Sequence, residues 1–324
     1  MEFSFQSNSS SENLTGAKVF FLCATSAPCC LFLIINGTIL AVLRSKPSFS
    51  QCPRYVLLFN LVLGDTVLIA QAQTLYLLAS FQIRISYPLC GCLAMVSFLT
   101  SYISPYTLIF MSLERCVAVC FPFRHSAVVT LRNTFICIFL TWMFSFADIL
   151  TRVVLLLRFP FRDLPTLLMP SYCNNVGMLL NPGSKVYSDV FTYILFLSCS
   201  LIISSSFVAV MVVAHAASSQ KESADKAKKT LLLHMFQLFL NLVSTLNMTL
   251  FTTVEESGQQ HLVGKFFVVV YILVILTPRG VSALTYGLRD PKLRPLLLSR
   301  LCCCVRVRLG PVKLHMTLQR SAKV

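Results

Sequence analysis

Seven stretches of mostly apolar residues, each about as long as a helix needs to cross the hydrocarbon core of a bilayer, divide this 324-residue chain. They run over Val19–Leu43, Tyr55–Ala79, Pro88–Leu113, Asn133–Leu157, Val186–Ala214, Thr230–Val254 and Phe266–Leu288. None alternates polar and apolar residues as an outer-membrane barrel strand does, so all seven are expected to be helices. The composition agrees, with 56% hydrophobic and only 12% charged residues, against roughly 25% charged in soluble domains. A soluble monomer is excluded. The loops are too short for a second folded domain. The expected organisation is therefore an N-terminal tail over 1–18, a seven-span domain over 19–290, and an amphipathic helix with a tail over 291–324. The first 17 residues contain no Lys or Arg, and the first apolar run is longer than a signal core, so it is expected to remain as span one.

The chain carries 27 Lys and Arg against 12 Asp and Glu, a formal charge of +15. These basic residues interrupt membrane-length apolar runs and form no single stripe, which argues against nucleic acid as a partner. Sorted by topology, nineteen fall on the side of the C-terminus and seven on the side of the N-terminus, with Arg279 inside span seven. The positive-inside rule then places the C-terminus in the cytoplasm, with the basic excess facing anionic membrane lipid, and the N-terminus outside. The sequons at Asn8 and Asn13 lie on the outer side, where glycosylation occurs. Two further sequons, at Asn36 and Asn247, lie inside spans and are discounted.

Most of the 14 cysteines lie within spans or on the cytoplasmic side, where thiols stay reduced. Cys90 opens span three at the outer surface, and Cys173 is the only Cys in the loop between spans four and five. A bridge between them would tie that loop across the mouth of the bundle, with Cys92 as a nearby competitor. Cys302, Cys303 and Cys304 follow a short basic amphipathic stretch beside the membrane, a context for S-palmitoylation. No metal-ligand spacing is present and no cofactor is expected.

Seven helices, an outside N-terminus and Glu114-Arg115-Cys116 at the inner end of span three resemble the rhodopsin-like (class A) G-protein-coupled receptors. Asn36, the NLVLGD run from Asn60 to Asp65, Cys90 and Trp142 fall where that family has signature residues. Four segments look more specifically like the odorant (olfactory) receptors of teleost fish. They are Pro53-Arg54-Tyr55, Glu114 to His125 (ERCVAVCFPFRH), Lys226 to Gln237 (KAKKTLLLHMFQ), and Pro278-Arg279 followed by Tyr286 to Asp290 (YGLRD). The resemblance implies an all-α seven-transmembrane bundle, a small-molecule odorant as ligand, a heterotrimeric G protein as partner, and a multi-pass place in the plasma membrane. The departures are Ser282-Ala283 where the broad family has Asn-Pro, a sixth span without its Cys-Trp-x-Pro bend, and no central proline in span five. They point away from amine and peptide receptors.

The resemblance also implies roles for particular residues. Glu114 and Arg115 would form the activation switch, with Tyr286 moving between resting and active contacts. Related receptors often hold a sodium ion at the acid of span two, and Ser104 falls at a matching position. Arg279 lies about two turns before Tyr286, so the expectation here is that it replaces the ion and pairs with Asp65. The bland alternative turns Arg279 to water or a backbone carbonyl. Asp65 and Arg279 read as the two deepest ionisable residues. Lys226, Lys228 and Lys229 would meet lipid or the G protein, or simply be solvated.

Small ligands bind between helices, and the candidate ligand set in the outer half is Ser97, Phe98, Ser101 and Tyr102 on span three, Thr245 and Thr249 on span six, and Ile272 on span seven. The span-three members follow the spacing of one helix face. Their mixture of hydroxyls and aromatics suits a small, mostly apolar ligand with one or two polar groups. Asp148, Arg152 and Asp189 near the outer surface offer a weaker site for an amino acid zwitterion. A peptide or lipid receptor of the same class is the alternative reading. A channel or transporter would show internal repeats, and none is visible. No enzyme is expected, because the five His residues (His125, His215, His234, His261 and His315) are scattered in depth away from any nucleophile and acid.

Overall fold

The computed structural model describes residues 5–161, 166–169, 173–175, 177–216, 228–229, 232–233, 235–236, 239–240 and 271–309. Among them six helices are long and apolar enough to cross a membrane. We number the helices in chain order: α1 (Phe5–Ser45), α2 (Pro47–Ser50), α3 (Pro53–Ser80), α4 (Tyr87–Cys120), α5 (Pro122–Val128), α6 (Leu131–Leu157), α7 (Pro182–Ala216), α8 (Thr277–Arg289) and α9 (Leu293–Leu309). The described residues of the expected sixth span, between 228 and 240, are helical. Five helices that start from a loop, α2, α3, α4, α5 and α7, have Pro at their first or second position, where the missing N–H costs nothing. Helix α1 begins well before the apolar run at Val19 and passes through Pro28 without ending.

The clearest sign of a lipid environment is α6. Its buried residues Thr134, Thr141, Ser145, Asp148, Ile149 and Arg152 share one helix face and are mostly polar. The opposite face shows Phe135, Phe139, Phe144 and Phe146, each more than half exposed. An apolar outside and a polar inside invert the pattern of a soluble helix, and lipid is the solvent that favours it.

Without a hydrophobic force between spans, close backbone approach and polar contacts hold the bundle. A Cβ on Gly64 of α3 would lie 3.0 Å from Ile103 of α4, and one on Gly280 of α8 would overlap the Phe32 ring of α1. Asn60 of α3 donates from its amide to Thr107 of α4 at 2.9 Å and accepts from the Trp142 indole of α6 at 3.0 Å. Helix α4 thus runs through the middle of the bundle, in contact with α3, α6 and α7.

Two features depart from a plain helical bundle. The described part of span seven begins with a π-helical turn, Tyr271–Leu276, and continues as α8. Pro278 cannot donate to the preceding turn, and Thr277 returns its hydroxyl to the Ile272 carbonyl at 2.7 Å. Helix α9 follows Asp290 and runs through the three cysteines to Leu309. Its Leu293 and Leu297 are buried in the same apolar cluster as Ile39 of α1 and Tyr286 of α8.

Candidate functional site

At one end of the bundle the chain between α6 and α7 folds back over α4. Tyr87 donates from its backbone to Leu167 at 2.9 Å, and Met169 donates to Ile85 at 3.1 Å. Beyond this short bridge Cys173 is disulfide-bonded to Cys90, and Cys92 is free and exposed. The competition between Cys90 and Cys92 is settled by the helix: the Cys90 side chain points inward and that of Cys92 outward.

Beneath this loop lies a buried polar cluster centred on Arg152. Its Nε donates to Asp148 Oδ2 at 2.7 Å one turn earlier on α6, its Nη2 to the Tyr102 hydroxyl at 2.8 Å, and its Nη1 to Ser188 of α7 at 3.2 Å. The other oxygen of Asp148 accepts from the Tyr187 hydroxyl at 3.0 Å. The guanidinium carbon lies 4.1 Å from the centre of the Phe98 ring, a cation–π contact. One arginine therefore joins α4, α6 and α7. Asp148 and Arg152, expected near the outer surface, lie beneath this loop with side chains only 0% and 3% exposed. Asp65 and Arg279 are therefore not alone among the buried ionisable residues of the spans. The i, i+4 pair neutralises itself on one helix face, which removes the reason for either charge to reach for water.

Of the candidate ligand set, Ser97, Phe98 and Tyr102 are buried together beneath the loop, and Ser101 is half-buried. Ser97 accepts a hydrogen bond from the Asn175 amide at 3.1 Å, so the loop reaches this face directly, while Ser101 donates to the Ser97 carbonyl at 2.7 Å. Ile272 does not join them. It packs against the cluster of Cys29, Ile69, Tyr76 and Tyr271, on spans one, two and seven. Equal depth along two helices does not imply equal direction, and Ile272 looks toward a different neighbour. Thr245 and Thr249 lie outside the described residues.

Deeper in the bundle Asp65 is buried and accepts a hydrogen bond from Ser104. Arg279 is buried on α8 and donates from Nη1 to the Ile275 carbonyl at 3.1 Å, and its charge acts on Asp65 electrostatically. At the far end of α4, Glu114 holds Arg115 at 3.0 Å. His125 of α5 brings its Nε2 to 3.7 Å from the second Glu114 oxygen. The sequence reading left this histidine unassigned. Tyr286 is buried on α8 beside α9. Side chains of Asn8, Asn13, Cys302, Cys303 and Cys304 lie outside the described residues, although all five positions are helical.

A profile of seven-transmembrane receptors of the rhodopsin family matches residues 35–278. This chain belongs to the rhodopsin family of seven-transmembrane receptors. The receptor is 27% identical to odorant receptor 131-2 of zebrafish over 266 residues, 81% of this chain and 80% of that one. It is 25% identical to rat olfactory receptor 1500 over 170 residues, covering 51% of this chain and 54% of the relative. With mouse olfactory receptor 1E16 it shares 24% identity over 153 residues, or 46% and 48% of the two chains. The seven-span bundle and the likeness to odorant receptors, both expected from the residues, therefore stand. Among the described residues no group of three or more His, Cys, Asp or Glu is placed to hold a metal ion.

Proposed function

We propose that this receptor binds a small odorant molecule in the half of the bundle beneath the disulfide-tied loop and activates a heterotrimeric G protein from the opposite end. The observation that carries the reading is the burial of Ser97, Phe98 and Tyr102 under a loop pinned by Cys90–Cys173. A ligand seated there touches three spans at once, so it has the means to favour one arrangement of the bundle over another. The likeness to odorant receptor 131-2 supports the ligand class.

In this reading the loop end faces the outside and the C-terminus the cytoplasm of a cell with the receptor in its plasma membrane, as the basic-residue count argues. Asn8 and Asn13 carry glycans, and Cys302, Cys303 and Cys304 carry palmitate on α9 beside the membrane. Glu114 holds Arg115 in the resting state and releases it to the G protein when the sixth span moves, with Tyr286 changing partners in the same step. Asp65 and Arg279 form an intramembrane pair that joins spans two and seven. The receptor performs no catalysis of its own.

The test is a panel of volatile and water-soluble odorants applied to cells that express the receptor with a cAMP reporter. A response to small molecules that disappears in Arg115→Ala at equal surface expression supports the reading. Responses confined to peptides, or an ion current without G protein, overturn it.

A further inference from the structure

We infer that Arg289 is a clasp that holds the inner end of span six against span seven in the resting receptor, and that it grips a backbone carbonyl because span six offers it no acid. The inference rests on the reading of the chain as a receptor that activates a G protein when its sixth span moves, and it names what restrains that span.

Arg289 donates from Nη1 to the Lys229 carbonyl at 2.9 Å, across 60 positions of sequence. Arg289 is the last residue of α8, and Lys229 lies in the described helical part of span six. No Asp or Glu occurs from Lys226 to Val254, so a cation on another helix finds no carboxylate along this span. A carbonyl can take its place, because its oxygen has a second lone pair beyond the one its own helix uses. Arg115, at the inner end of α4, has Glu114 as its partner at 3.0 Å. Its charge is therefore already engaged within α4.

The base of the clasp is anchored. Asp290, the next residue, is buried and donates its N–H to the Tyr286 carbonyl at 3.3 Å. Its carboxylate accepts from Tyr55 at 3.1 Å and lies 3.6 Å from Arg54, both on α3. Arg289 thus reaches toward span six from a fixed helix end, and a bond made from such a base restricts its acceptor.

Charge supplies the opposing force. Lys228 and Lys229 are exposed at this end of span six, and Arg54 acts on Arg289 electrostatically. Like charges gathered at the mouth push span six away, and the bond to its carbonyl works against them. The contact is exposed, so its hold is modest and the open arrangement stays within reach of the resting one. Outward movement of span six by a few ångströms breaks it, since a hydrogen bond does not survive that lengthening.

The experiment measures electron–electron resonance distances between spin-labelled noncanonical amino acids at positions 228 and 299, both exposed, in the full-length receptor in nanodiscs without ligand. Arg289→Gln should raise the fraction of molecules at the longer distance about threefold, and Arg289→Lys, which keeps a donor, should raise it less. Lys229→Ala deletes the side chain and keeps the carbonyl, so it should leave the distribution as it is. Ligand-free cAMP at matched surface expression should also rise about threefold in Arg289→Gln. An unchanged distribution in Arg289→Gln overturns the clasp, as does an equal displacement in Lys229→Ala. If Arg289→Gln does not fold, Arg289→Lys decides, and an unchanged distribution there overturns the clasp as well. A longer distance in Arg289→Gln without a rise in cAMP leaves the clasp standing and removes the signalling reading. A rise in cAMP with an unchanged distribution does the reverse.

Discussion

Tyr55 and Asp290 are 235 residues apart, and the Tyr55 hydroxyl lies 3.1 Å from both carboxylate oxygens of Asp290. Asp290 also lies 3.6 Å from Arg54, and accepts from the backbone N–H groups of Lys292 and Leu293 at 2.9 and 3.1 Å. One carboxylate therefore caps α9 and ties it to the start of α3. Tyr55→Phe removes a buried hydrogen bond to a charged group and should cost about 1.5 to 3 kcal/mol. Asp290→Ala, which also deletes the cap, should cost more. Thermal melts of the purified receptor check both, and an unchanged Tyr55→Phe would show that the bond contributes nothing.

Asp148 and Arg152 should behave as one unit. Removing either alone leaves a buried charge without its partner and should cost about 3 to 5 kcal/mol, whereas removing both should cost much less than the sum. Surface expression by flow cytometry and melting temperature across the double-mutant cycle measure the coupling. Strict additivity would mean that water has reached the pair.

Cys173→Ser should lower the melting temperature by several degrees and loosen the loop over α4, since it releases a closure spanning 83 positions. Cys92→Ser should do neither, because Cys92 is free and faces outward. A Cys92→Ser defect equal to that of Cys173→Ser would mean that the two thiols exchange.

Glu114→Gln should raise signalling in the absence of ligand by roughly fivefold, equivalent to about 1 kcal/mol of lost hold on Arg115. A basal cAMP measurement at matched surface expression reads the effect. His125→Ala should raise it less, since His125 stands at 3.7 Å from Glu114 and Arg115 at 3.0 Å.

Exchanging Asp65 and Arg279 should restore the surface expression that each single reversal abolishes, if the two charges stabilise each other across spans two and seven. Failure of the exchange, with signalling in the native receptor that responds to sodium, would assign the Asp65–Ser104 position to a cation instead.

Hydropathy alone located the spans, because lipid demands long apolar runs whatever lies beside them. What it does not carry is direction around each helix axis. Ile272 was grouped with Ser97 and Tyr102 by depth, which a 1.5 Å rise per residue makes countable, yet its side chain faces Cys29 and Ile69. Asp148 and Arg152 were placed near the outer surface from their position at the end of a span; that the chain at 166–169 and 173–175 covers that end was not legible in the sequence. The Pro53-Arg54-Tyr55 and Tyr286 to Asp290 motifs were each legible, and only the fold shows that they meet. Pro278 was read only as part of a motif, and nothing local distinguishes a π-helical turn from a kink. His125 carried one usable signal, a titratable group just beyond an acidic helix end.

The Asp148–Arg152 pair also bears on how the receptor is made. A helix entering the bilayer during synthesis does so before its later neighbours exist, and an isolated charge at mid-helix costs at least about 2.5 kcal/mol on insertion scales. Because the two residues are one turn apart on a single helix, their charges can cancel at the moment α6 enters, before Tyr102 or Ser188 is in place. Asp65 and Arg279 have no such advantage, since 213 residues of chain are synthesised between them. Span two must therefore enter the membrane with its acid uncompensated, and newly made chains should be most vulnerable to quality control in the interval before span seven arrives.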